Sequence, residues 1–140
     1  MILLFVILLS IIFLSIAGIH FYWALGGKKG TLYVIPEKEG RPLFSPKPLG
    51  TVLVGFTFLF FVLIVMEKAG IIFFVRSGNV VNYILIGMTL IFLIRAIGDF
   101  KWVGFFKKNS TTQFAYWDQK LFSPLCVAIA CFLLAILLIK

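Results

Sequence analysis

Apolar residues run without a formal charge from position 2 to 25 and recur in three further blocks, 49–66, 80–94 and 121–139. The connections between the blocks carry nearly all of the charge, glycine and proline. None of the blocks shows the period-two alternation of a lipid-exposed strand, so a membrane barrel is excluded and helices are expected. At 1.5 Å per residue the first block extends about 36 Å, against a hydrocarbon core of roughly 30 Å, and can span with some tilt. A cleaved secretory signal fits this block poorly. It opens Met-Ile-Leu-Leu without a basic segment and ends in His20-Phe21-Tyr22-Trp23 instead of small residues, so it is read as an uncleaved helix.

The third and fourth blocks look short. Residues 80–94 give only about 22 Å of helix, so the helix is expected to continue through residue 100. Ser123-Pro124 has the form of an N-cap followed by proline at the first helical position, and a preceding interfacial turn must complete that span. Phe114, Tyr116, Trp117 and Phe122 suit an aromatic belt at headgroup depth. The expected fold is an all-α membrane protein, a single domain over residues 1–140 with helices at about 2–25, 49–66, 80–100 and 121–139.

Composition supports this class. Of the 140 residues 62% are hydrophobic, more than the interior of so small a soluble globule could hide. Charge sets the expected orientation. Loops 26–48 and 101–120 with the adjoining Arg95 carry ten basic residues, whereas the other side has Lys68, Arg76 and Lys140. The positive-inside rule places these two loops in the cytoplasm and both termini outside, in a multi-pass cell-membrane protein. The net charge of +8 then reads as topology and attraction to anionic lipid headgroups, not as a nucleic-acid surface.

An internal repeat is also expected. Trp23, Lys28-Lys29 and Thr31 recur as Trp102, Lys107-Lys108 and Ser110, and Leu43-Phe44-Ser45-Pro46 recurs as Leu121-Phe122-Ser123-Pro124, at offsets of 79 and 78. Two duplicated hairpins would be related by a pseudo-twofold axis along the membrane normal, with His20 equivalent to Asp99.

Ionisable residues near the spans supply the candidate chemistry. If the third helix reaches residue 100, Arg95 and Asp99 lie one turn apart on one face with Trp102, at the membrane edge also reached by His20 and Trp23. A charge at that depth is usually paired or turned inward. The expected ligand-binding set is His20, Trp23, Arg95, Asp99, Trp102, Trp117 and Asp118. Arg95 would take an anionic head, Asp99 would orient Arg95 or His20, and the tryptophans would cover an apolar part. For Asp118 alone, pairing with Lys120 or Lys101 in water is the more ordinary expectation. A single histidine, with Cys126 and Cys131 on different faces and read as buried apolar residues, gives no metal site, and no cofactor motif is present.

The segments His20–Gly27, Arg95–Phe100, Trp102–Lys107, Phe114-Ala115, Asp118 and Phe122–Cys126 together resemble a family of small bacterial four-span membrane proteins known only as a domain of unknown function. The resemblance covers the whole chain and implies a fold, not an activity. More distantly, a four-span bundle with a tryptophan-lined polar pocket is similar in kind to sterol-isomerase and sigma-receptor-like proteins. The acidic pair of that chemistry is missing here, since Glu67 falls at the opposite membrane face. The preferred reading is a binding or accessory protein for a lipid-like or small amphipathic ligand at the inner leaflet. One alternative is an isomerase-like enzyme using His20 and Asp99 for proton transfer. Another is a scaffold whose helices approach at Gly55, Gly87 and Ser15.

Overall fold

The computed structural model describes residues 1–75, 78–109 and 111–139; expectations resting on Arg76, Ser110 and Lys140 lie outside the described residues. The apolar blocks form helices α1 (Ile2–Ala24), α3 (Pro48–Lys68), α4 (Gly78–Ile97) and a continuous helical run Gln113–Leu138. That run is α5 (Gln113–Trp117), a π-helical turn (Asp118–Phe122) and α6 (Ser123–Leu138). All four are long and apolar enough to cross a membrane. Between α1 and α3 lie a short helix α2 (Thr31–Val34) and a hairpin of β1 (Glu37–Lys38) and β2 (Arg41–Pro42). The hairpin turns through Glu39 and Gly40, both at positive φ, as a two-residue type I′ connection requires.

Each spanning helix packs chiefly on its neighbour in sequence, α1 along α3 and α4 along α6. Contacts of α1 with α6 and of α3 with α4 close the bundle. The inward stripe of α1 is Val6, Leu9, Phe13 and Ala17, at helical spacing. Phe13 sits among Phe58, Phe61 and Phe92 with ring centroids 5.6–5.9 Å apart. Leu85, Met88, Ile129 and Leu133 continue the core. The outer faces are apolar too, with Leu3, Leu4, Ile7, Ile11, Leu53 and Phe56 exposed, so these helices are made to be covered by lipid. Hydroxyls on that surface are satisfied locally, Ser15 donating to the Ile11 carbonyl and Thr57 to that of Leu53.

Three details depart from expectation. First, α4 starts earlier, at Gly78, and stops at Ile97 instead of 100. Gly98 takes φ +85°, which turns the chain out of the helix, so Asp99 and Trp102 do not continue the face that carries Arg95. Second, the last span begins at Thr112, whose hydroxyl accepts from Ala115 N–H at 3.1 Å. Ser123 lies inside the helical run with αR backbone, and the π turn before it accommodates Pro124, which has no N–H to give and crowds the turn behind it. Third, of the small residues expected at helix contacts only Gly55 is buried, against the Phe21 ring; Gly87 has open space beside it and Ser15 faces outward. Cys126 is buried as expected, but Cys131 is exposed on the apolar surface.

The proposed repeat units also differ in conformation. Leu43–Pro46 is exposed loop, whereas Leu121–Pro124 is helical. His20 lies within α1, while Asp99 lies beyond the end of α4.

Candidate functional site

The end of the bundle where α4 stops and α5 begins is organised around Asp118. Its side chain is fully buried. One carboxylate oxygen, Oδ1, accepts from Arg95 Nη2 at 2.8 Å. The other, Oδ2, accepts from the Gly104 N–H at 2.8 Å and from Lys107 Nζ at 3.1 Å. Lys107 donates in addition to the Gly104 carbonyl at 3.1 Å, and its side chain is 1% exposed. Arg95, in the last turn of α4, keeps 34% of its side chain exposed. One carboxylate therefore faces two cations, and the cluster carries a formal charge of +1. Arg95 Nη1 and Ser123 Oγ are buried without a hydrogen-bond partner among the described residues.

Local sequence explains how the loop delivers Lys107 and the Gly104 N–H. Gly98 and Gly104, at φ +85° and +89°, pack backbone against backbone. A Cβ on Gly98 would overlap the Val103 carbonyl, and one on Gly104 would overlap that of Ile97. Between them, Asp99 Oδ1 accepts from the N–H groups of Lys101, Trp102 and Val103 at 2.9, 2.7 and 2.9 Å. Desolvation pushes the Asp99 carboxyl up, but these backbone donors together outweigh it and hold it below its ordinary value. The Phe105 N–H returns to the Ala96 carbonyl at 2.9 Å, and Asn109 Nδ2 donates to the Lys101 carbonyl at 3.0 Å. Residues 96–109 are thus a knot whose ends are tied to α4 and to Asp118.

This geometry redistributes the expected site. Arg95 and Asp118 come together; Asp99 orients neither Arg95 nor His20, and its Oδ1 accepts from the backbone of its own turn instead. Asp118 pairs with Lys107 in place of Lys120 or Lys101, and it does so in the interior, not in water. Lys120 instead donates to the Tyr116 hydroxyl at 2.8 Å and lies over that ring. His20 Nδ1 donates to the Ile16 carbonyl at 2.8 Å, one turn back on its own helix. Its ring packs on Trp23 and Phe58 at 5.3 and 6.0 Å. Trp23 Nε1 donates to the Lys29 carbonyl. Trp102 is half-buried, with Lys101 Nζ 5.8 Å from its ring. Trp117 meets Tyr33 of α2, joining the first loop to α5. Lys107 and Gly104 were not among the expected site residues; the Lys107-Lys108 doublet read as topological charge and as part of the repeat, and nothing in an 11-residue separation points at Asp118.

A polar cleft of about 460 Å³ on this side is lined by Glu37, Thr111, Thr112, Gln113 and Tyr116. A second of about 350 Å³, at the other end, includes Glu67, Lys68 and Asn82. None of the seven residues expected to bind ligand lines either one. Among the described residues no group of three or more His, Cys, Asp or Glu side chains is placed to hold a metal ion.

A family model described as "Protein of unknown function (DUF3995)" matches residues 13–133. No curated protein and no solved structure matches the chain.

Proposed function

We propose that this chain, which belongs to the DUF3995 family, is a membrane-embedded binding protein that holds the anionic headgroup of an amphiphile at Arg95. The observation that carries this reading is a guanidinium fixed through Nη2 by a buried carboxylate, in a cluster of net charge +1, with a third of the side chain exposed and Nη1 left without a hydrogen-bond partner among the described residues. A planar guanidinium preset in this way loses little freedom on gripping a phosphate or carboxylate. The exposed Ile94 and Ile97, which flank it in the sequence of α4, offer apolar surface to an acyl chain. The positive-inside argument assigns this end to the cytoplasmic leaflet, with both termini outside.

The test is native mass spectrometry of the detergent-purified protein, titrated with phosphatidylglycerol and with phosphatidylcholine. A one-to-one adduct favouring the anionic lipid is expected. Arg95→Gln should weaken it roughly 10- to 100-fold, the worth of a charge-assisted hydrogen bond to an ionised group. Equal retention of both lipids, or an unchanged adduct in Arg95→Gln, would overturn the reading. It would then leave the scaffold alternative, which the saturation of Asp118 by protein donors favours.

A further inference from the structure

The knot at residues 96–109 does more than deliver Lys107. It presents Phe100, Phe105 and Phe106 outward, 58%, 40% and 64% exposed, with the Phe100 and Phe106 rings 6.3 Å apart. Phe100 occupies the left-handed region at φ +61°, where an aromatic residue is seldom found. Asp99 Oδ1, just before it, accepts from the N–H groups of Lys101, Trp102 and Val103, just after it, and the backbone cost there is accepted with the ring directed away from the core. The level of these rings relative to the end of α4 is set by two features. The spanning helix ends at Ile97, and the hydrogen bond from Phe105 N–H to the Ala96 carbonyl folds the far limb of the loop back to the level of the last helical turn. Lys101 and Lys108, both exposed, flank the rings. Asp99, the acidic side chain within this loop, gives its Oδ1 to three backbone donors, and its single charge is outnumbered by Lys101 and Lys108.

We infer that this loop is a preformed interfacial wedge, with Phe100, Phe105 and Phe106 seated among the acyl chain ends of one leaflet and Lys101 and Lys108 on the phosphates of anionic lipids in it. Rings at headgroup depth beside lysines are the combination an anionic membrane surface accepts. The surface is distinct from the Arg95 site and does not rest on it. Its occupant is a lipid surface and not a single bound molecule. Because the knot is closed by glycines and by its own hydrogen bonds, little ordering remains to be done when the wedge seats.

The experiment places an NBD fluorophore at Phe106→Cys in a chain whose Cys126 and Cys131 are alanine, reconstituted in phosphatidylcholine vesicles with or without phosphatidylglycerol. A label at Glu39→Cys, on the exposed hairpin tip, is the aqueous control, and Phe105→Cys supplies an independent position if Phe106→Cys fails to fold. In vesicles with phosphatidylglycerol the label at 106 should resist quenching by iodide and be quenched by lipids brominated near the headgroup end of the chains, while the label at 39 shows the reverse. Lys101→Gln with Lys108→Gln should reduce that shielding by about fivefold for each lysine removed, to the level seen without phosphatidylglycerol. Equal iodide access at 106 and 39 would overturn the wedge. So would shielding that ignores phosphatidylglycerol and disappears as protein is diluted in the vesicles, since that identifies a second copy of the chain as the cover.

Discussion

Replacing Asp118 with asparagine tests the centre of the structure, because it changes one charge and almost no volume. At N···O separations of 2.8 and 3.1 Å, each attraction to Asp118 is about 5–6 kcal/mol at an effective dielectric constant of 20. Desolvation of the ions offsets most of that, so the intact cluster contributes much less than the sum of its parts. The variant does not recover the desolvation cost. Lys107 stays buried with neutral carbonyl oxygens and no counter-charge to receive it, while Arg95, a third exposed, can turn to water. Stranding one buried ammonium costs about 3–5 kcal/mol, and the exposed arginine adds little. At about 2–4 °C per kcal/mol for a chain of this size, the melting temperature should fall by about 6–20 °C. Cys126 is buried in α6 and reports the transition through a thiol-reactive dye in a Cys131→Ala background, where the exposed thiol is gone. Adding Lys107→Gln should restore more than half of the loss, because the unpaired ammonium leaves with it. A melting temperature within about 1 °C of the parent for Asp118→Asn would refute the reasoning, given the scale above.

Three further outcomes can be measured, two of them at the knot and one in α1. Gly98→Ala should cost more than the 1–2 kcal/mol of a left-handed backbone alone, since its methyl also meets the Val103 carbonyl. Gly18→Ala, with nothing within 4 Å of its added carbon, should be neutral or stabilising by about 0.5–1 kcal/mol in the same melt. The hydrogen bonds to Asp99 should weaken with acid. Its folded carboxyl lies below the ordinary 3.8, so its contribution is complete above that value and is lost as pH falls through the lower folded one. Amide exchange at Lys101, Trp102 and Val103 should lose protection, beyond the intrinsic pH effect, only in that acid window. Asp99→Ala should lack the step; an identical profile in that variant would assign the protection to something else.

The spans could be read before any coordinates because lipid leaves a backbone one choice: an apolar run of sufficient length must close its hydrogen bonds within itself, and no distant residue is needed to decide it. Arg95 and Asp118 were candidates for a related reason, since ionisable groups beside a span seldom stand alone. Their pairing was not legible. Extending α4 through residue 100 put Asp99 on the face of Arg95, and a glycine at φ +85° removes it, turning that carboxylate to its own backbone. The partners of Asp118 stand 23, 14 and 11 residues away in sequence, at the end of one helix and inside a loop. Helical periodicity relates only positions a few residues apart, so it could not bring them together. The π turn ahead of Pro124 and the packing of α4 on α6 settled which way Asp118 points, and with it which charges are buried.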